Sequence, residues 1–403
     1  MEFLIPSHAS RPSDDPIFSL NAEARQRAGA GESIVNATIG VLLDDEGSLA
    51  VLGTVLQTLR EVPADAAASY APISGPPAFL NAVVEDLLGG RPEADWAVAA
   101  ATPGGSGALR TAIAAFTGLG EASLTSSFFW APYNTISDEN GRKLATFRMF
   151  DERGRLDVVD LERKLVELLD KQGRALVILN SPCHNPTGYT VDASEWDDIA
   201  AILTRHADRG PITLLLDMAY ERYANVGVGT ALDRLLPLAG KIMLLFSWSA
   251  SKSFTLYGQR VGALIAVHAD AGQRARVQNA FSYACRGTWS NCNAGGMAAV
   301  ARVLLDPALR AKVDAERDAL KEVMNRRAAY WNSLAGKIKL NYPRFEGGFF
   351  TTVFCDDAHG RAKRMRDDGV FVIPQVGALR VALCAVNNAE IERIVASMAR
   401  HVA

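Results

Sequence analysis

The sequence predicts an α/β protein: a large domain on a mostly parallel mixed sheet flanked by helices, with a smaller α+β domain attached. Three observations predict it. The chain has 403 residues, more than one ordinary domain needs. Short apolar runs in its middle end in polar residues and alternate with helical patterns. After Met297 that alternation gives way to longer, more charged patterns.

The apolar runs cover residues 176–179, ending in Asn180-Ser181-Pro182, then 212–216, ending at Asp217, then 242–246, ending at Ser247, and 261–267. Runs this short, rich in Ile, Val and Leu, fit strands buried on both faces of a parallel sheet. Helical periodicity separates them at 195–206 and at 231–236, where Pro237 stops it. Ligands of such folds bind outside the carboxyl ends of the strands. The polar residues that end the runs are therefore site candidates. Beyond Met297, residues 309–334 predict a long charged helix, 349–354 and 378–383 predict strands, and 389–398 predict a closing helix. Turn formers and small polar residues over 1–30 predict an irregular arm. This places a large domain at 46–305, with the arm and small domain at 1–45 and 306–403.

Composition narrows the function. Hydrophobic residues make up 49% and charged residues 22%, enough for a core and against wholesale disorder. A net charge of -3 without a basic stretch argues against a nucleic-acid footprint. The cysteines, Cys183, Cys285, Cys292, Cys355 and Cys384, are odd in number and scattered, which predicts free thiols in a reducing, cytoplasmic compartment. Residues 1–15 lack a basic stretch followed by an apolar one, so no signal peptide is expected. No apolar run is long enough for a membrane span. The six histidines are dispersed, and no metal site is expected.

Five segments carry candidate chemistry. Thr102-Pro103-Gly104-Gly105-Ser106-Gly107 precedes a helical run to Phe116. Glycines let the backbone approach an anion, and a helix start offers free N–H groups to a phosphate; alone, it equally fits an ordinary helix-start turn. Cys183-His184-Asn185-Pro186-Thr187-Gly188 follows a strand, and its turn would fix Asn185 at the strand end. In isolation it reads as a plain Asn-Pro turn. Asp217 ends a buried run, where a carboxylate needs a cation or strong donor, or else caps a helix. Ser249-Ala250-Ser251-Lys252 leads to Arg260 eight positions after the lysine. A lysine with few acidic neighbours can lose its proton and form a Schiff base, and the arginine can grip a phosphate with two donors. Trp130 could stack on a flat ring, although core packing is the commoner fate of a tryptophan.

Taken in order, these segments resemble the fold-type I pyridoxal phosphate (PLP) enzymes, and within them the aspartate/aromatic aminotransferase branch of class I. The resemblance runs from about Pro16 to Arg380; Ser249-Ala250-Ser251-Lys252 with Arg260 and Gly262, and Asn185-Pro186-Thr187-Gly188, are its most specific parts. It implies that Lys252 carries the cofactor and shuttles a proton. It implies that Asp217 keeps the pyridine nitrogen protonated and that Tyr220 and Asn185 bond the ring's phenolic oxygen. Gly105, Ser106, Ser249 and Arg260 would hold the phosphate, supported by Ser251. Trp130 would stack on the ring, and His184 would support Asp217.

For the substrate, the resemblance implies that Arg380 forks onto the α-carboxylate and that Gly40 touches it through its backbone. Arg286 would take a distal carboxylate across a dimer, which favours a dicarboxylate as one partner substrate. Tyr70 would reach the phosphate of the neighbouring subunit, making a homodimer with shared active sites. Two positions depart from the pattern. Cys292-Asn293 stand where prolines usually follow Ser290-Asn291, and Tyr133 stands where a histidine is often found three residues after the stacking tryptophan. Both are expected at the substrate rim.

The expected activity is ping-pong transfer of an amino group between an L-amino acid, aspartate or aromatic or both, and a 2-oxo acid such as 2-oxoglutarate. A carbon–sulfur lyase or an amino-acid decarboxylase is the alternative on the same cofactor. A PLP-binding regulator would need a DNA-binding domain ahead of this region, and the chain begins almost directly with the aminotransferase-like part.

Overall fold

Val, Ile and Leu runs form strands because branched side chains pack well on a pleated surface. The computed structural model describes residues 3–12 and 16–403. The strands, in chain order, are β1 (Val35–Asn36), β2 (Ala97–Pro103), β3 (Ala122–Ser126), β4 (Lys143–Phe147), β5 (Ala175–Asn180), β6 (Ile212–Asp217), β7 (Met243–Ser249), β8 (Val261–Val267), β9 (Phe350–Phe354), β10 (Val370–Phe371), β11 (Ile373–Gln375) and β12 (Ala378–Ala382).

The chain forms two compact units. The larger comprises Ala50–Asn325 and Arg344–Gly348. Its seven-stranded sheet has the order β2-β8-β7-β6-β5-β3-β4. Neighbours are parallel except around β8, which runs antiparallel to both β2 and β7. Period-two alternation sends successive side chains to opposite faces. Val177, Leu179, Leu214, Leu216, Leu244 and Phe246 pack into one apolar cluster. Leu176, Ile178, Leu215, Leu245, Leu264 and Ala266 pack into the other. Both faces of the sheet are thus buried, as the unbroken apolar runs require.

Register decides what lies side by side at the carboxyl edge. Asn180 of β5 pairs with Asp217 of β6, and Asp217 pairs with Ser247 of β7. Pro103, at the end of β2, pairs with Val261 at the start of β8. Helix Gly104–Phe116 therefore starts beside this row of polar strand ends. Helix Ala193–His206 starts cleanly because Asp192 and Glu195 form a reciprocal capping box.

The smaller unit comprises Met1–Leu49, Arg326–Pro343 and Phe349–Ala403. It carries the antiparallel sheet β11-β12-β9 and the parallel pair β1-β10. Arg327 is buried here, and its guanidinium donates to the carbonyls of Leu43 and Cys384 and to Asp45. Helix Pro307–Lys337 continues through position 325/326, where one unit passes into the other, whereas the charge pattern placed the line ahead of this helix. The irregular arm expected over 1–30 is corrected by helix Pro16–Gly29, in which alanines and arginines favour the helix; residues 1, 2 and 13–15 of that arm lie outside the described residues. Among the described residues no helix is long and apolar enough to cross a membrane.

Candidate active site

The polar strand ends open onto a cleft of about 470 Å³ in the larger unit. Asp217 is buried at its floor. Its Oδ2 accepts from the Tyr133 hydroxyl at 2.7 Å and its Oδ1 from the Ala219 N–H at 3.3 Å. Burial pushes the Asp217 carboxyl above the usual carboxylate range, while the Tyr133 donor and the charge of Lys252 oppose that shift. Asn180 ties the floor together: its Nδ2 donates to the Asp217 carbonyl and its Oδ1 accepts from the Asn185 N–H.

Asn185 is buried on a turn with cis Ser181-Pro182 and Asn185-Pro186 bonds. Its Nδ2 donates to the Tyr220 hydroxyl at 3.2 Å. Its Oδ1 is buried without a hydrogen-bond partner among the described residues. A buried amide oxygen left in this way costs free energy unless a ligand or water completes it. Lys252 sits in the short helix Ala250–Ser253, with its Nζ 5.5 Å from the Tyr220 ring centre and 5.8 Å from that of Tyr257. Trp130 lines the same cleft, standing edge-on to Tyr133 at 5.8 Å.

The anion cradle is built from close backbone approaches. Gly104 has φ +69, a conformation that favours glycine. A Cβ on Gly262 would lie 2.6 Å from the carbonyl carbon of Gly104, so strand β8 and the loop touch backbone to backbone. Gly105 and Ser106 open helix Gly104–Phe116 and line the cleft. Arg260 also has positive φ. Its guanidinium donates to Ser251 Oγ at 3.2 Å and to the carbonyls of Tyr257 and Pro103. Ser249 Oγ accepts from the Ser251 N–H. Burial lowers the Arg260 pKa, and no carboxylate among the described residues offsets it. A guanidinium beside a glycine-rich helix start is suited to a phosphate.

The donor set fits pyridoxal phosphate. A buried carboxylate suits a ring N–H, the unfilled Asn185 oxygen and the Tyr220 hydroxyl suit ring substituents, and the cradle suits the phosphate. Gly105, Ser106, Trp130, Asn185, Asp217, Tyr220, Ser249, Lys252 and Arg260 all line this one cleft. Leu109, Asn180 and Ala219 line it too. Asn180 was a candidate as the polar end of an apolar run, without an assigned role, whereas Leu109 and Ala219 carried no signal of their own.

The remaining candidates lie elsewhere. In the smaller unit, Arg380 of β12 is buried, donates to the Thr38 carbonyl at 2.5 Å and lies 4.6 Å over the Phe350 ring. A Cβ on Gly40 would stand 2.7 Å from that same ring. In the larger unit, Tyr70 is 91% exposed. Arg286 is exposed on helix Ala271–Thr288 and bonds Ser290 Oγ at 2.8 Å.

Two expectations are corrected. His184 does not support Asp217. Its Nδ1 pairs with Thr187 Oγ1 at 2.8 Å and its ring bonds the Phe128 backbone, so the turn and the segment after β3 take up the imidazole. Tyr133 is not a rim residue: it is 1% exposed and supplies the bond to Asp217. The first turn of helix Pro132–Glu139 carries it inward.

Known proteins share this architecture along the whole chain. The aromatic-amino-acid aminotransferase of Paracoccus denitrificans is 29% identical, covering 93% of this chain and 94% of the relative. An aspartate aminotransferase of Pseudomonas aeruginosa is 28% identical, covering 94% and 95%. The crystal structure of an aminotransferase from Anaerococcus prevotii superposes with a TM-score of 0.93 at 28% identity, covering 100% of both chains. These likenesses favour amino transfer over carbon–sulfur lysis or decarboxylation. The family described as aminotransferase class I and II matches residues 32–398, and the chain belongs to it as a PLP-dependent aminotransferase.

Proposed function

We propose that this enzyme moves an amino group between an L-amino acid, aspartate or aromatic or both, and a 2-oxo acid such as 2-oxoglutarate. The reading is supported above all by one cleft lined by Lys252, Asp217, Tyr220, Asn185 and Arg260. When bound, the cofactor supplies an electron sink for negative charge on the substrate α-carbon. Lys252 Nζ carries the cofactor and moves the α-proton. Asp217 holds the proton of the ring nitrogen, while Tyr220 and Asn185 hold the phenolic oxygen. Gly105, Ser106, Ser249 and Arg260 bind the phosphate, and Trp130 covers the ring. Arg380, Gly40 and Asn185 orient the α-carboxylate, since a planar guanidinium matches two carboxylate oxygens.

Arg286 takes a distal carboxylate and Tyr70 reaches the phosphate of a neighbouring subunit, so the working unit is a homodimer. The 91% exposure of Tyr70 supports this, because an aromatic that open is suited to a partner surface. Five free thiols support a reducing, cytoplasmic setting. As a functional division, distinct from the two compact units, we also propose a PLP-binding domain at 46–305 and a small domain formed by 1–45 and 306–403.

The test is a visible spectrum of the PLP-loaded protein. L-Aspartate or L-tyrosine should bleach the cofactor band, and 2-oxoglutarate should restore it. The donor that bleaches fastest ranks first, and Lys252→Ala should abolish the cycle. A band that no amino acid alters would overturn the substrate reading and leave cofactor binding intact.

A further inference from the structure

Behind the cleft lining lies a buried hydroxyl that takes no part in the proposed cofactor contacts, that of Tyr133, bonded to Asp217. We propose that Tyr133 is a positioning residue that fixes two walls of the cofactor site at once, the Asp217 carboxylate by a hydrogen bond and the Trp130 ring by an edge contact. The inference rests on the PLP reading above and adds a residue to it.

The geometry carries it. Tyr133 is 1% exposed in the first turn of helix Pro132–Glu139. Its ring stacks on Phe129 at 6.3 Å with planes 7° apart and meets Trp130 edge-on at 5.8 Å and 89°. Two aromatic contacts hold the phenol ring, so the hydroxyl has one place to point. That place is Asp217 Oδ2, at 2.7 Å. The contact joins elements far apart in sequence: the helix after β3 and the carboxyl end of β6.

The chemistry fixes the direction of the bond. The phenol is buried beside Asp217, and both effects raise its pKa well above the ordinary value. It therefore keeps its proton and can only donate. The groups acting on Asp217 are Tyr133 from its helix, the Ala219 N–H and Lys252 from helix Ala250–Ser253, and Tyr220 acts in turn on Tyr133. Of these, Tyr133 is the neutral side-chain donor, and it favours the ionised carboxylate against burial. Without it, the carboxyl holds its own proton more tightly and is a poorer anionic partner for a protonated ring nitrogen. The ring of Tyr133 contributes separately, by fixing the angle of Trp130. Hydroxyl and ring can thus be tested apart.

Tyr133→Phe keeps the ring and removes the donor; Tyr133→Leu removes both. The apoprotein of each is titrated with PLP, and the dissociation constant is measured between pH 5 and 9 together with the near-ultraviolet circular dichroism of the tryptophans. For Tyr133→Phe we expect PLP binding weakened about tenfold or more, as for a lost hydrogen bond to a charged group. The pH profile of the bound cofactor's visible band should also shift, with the tryptophan signal unchanged. Tyr133→Leu should change the tryptophan signal as well, by the share that Trp130 contributes. Tyr133→His, which restores a donor, should recover much of the affinity. Affinity and band profile of Tyr133→Phe equal to the unsubstituted protein would overturn the proposal while PLP binding stands. A protein that shows no PLP band in any form would remove the PLP reading and this inference with it. Circular dichroism in the far ultraviolet separates these results from misfolding, and the histidine variant supplies the comparison should the phenylalanine variant not fold.

Discussion

His184 and Asp217 are both buried and titratable, yet burial acts on them in opposite directions. The Asp217 carboxyl is driven up because its anion loses water. The His184 imidazole is driven down to about 3 because its cation does. A neutral native imidazole has a consequence for acid stability. As pH falls through the ordinary histidine value of 6.5, the unfolded chain binds a proton that the native ring refuses. Stability is therefore lost at about 1.4 kcal/mol per pH unit from near 6.5 down towards about 3. Urea denaturation of His184→Asn should show a shallower loss between pH 7 and pH 5 than the unsubstituted protein, and parallel losses would contradict the assignment. At this scale the sequence showed which residue types gather but not which of them pair. Asp217 was legible as the end of a buried run, and Lys252 and Arg260 by the small hydroxyl residues around the lysine and the arginine eight positions on. The exchange of His184 for Tyr133 beside Asp217 was not, because hydrogen-bond partners joining positions 133 and 217 depend on how a helix turn is rolled.

Among the elements, β8 is the least ordinary. It runs against both neighbours, and its second residue, Gly262, touches the backbone of the anion cradle. A methyl group there meets main chain, which cannot swing aside as a side chain can. Gly262→Ala should destabilise the protein by about 1–3 kcal/mol, as overpacking does. It should also weaken inorganic phosphate and PLP binding by moving Gly104 and Gly105. Thermal unfolding and apoprotein titration check the two effects, and an unchanged melting temperature would show that the contact relaxes freely. The strands β5 to β8 were legible because Val, Ile and Leu crowd into them. The strand β2 was not, since Ala97–Pro103 is rich in alanine and owes its extended form to pairing with β8. The antiparallel sense of β8 was hidden for the same reason: an apolar run records burial and carries no direction.

For the whole molecule, the homodimer is the main expectation left to solution measurement. Sedimentation of the PLP-loaded protein should give twice the chain mass of 43.3 kDa. Tyr70→Phe should preserve that mass and weaken PLP binding several-fold, by loss of one phosphate bond. A monomer with full activity would overturn the shared-site reading. Fold class was legible because length and alternation bound it, and the family match follows the same stretch of chain. The passage from one unit to the other at 325/326 was not legible, because helix Pro307–Lys337 keeps one charged texture throughout.

Arg380 lies over the Phe350 ring, Gly40 leaves no room on that ring for a side chain of its own, and the Thr38 carbonyl holds one end of the guanidinium. For a carboxylate docking there as proposed, the arginine's torsional freedom was surrendered when the chain folded. Little further ordering falls to the moment of encounter, and discrimination against anions of the wrong shape is built into a surface that cannot adapt to them.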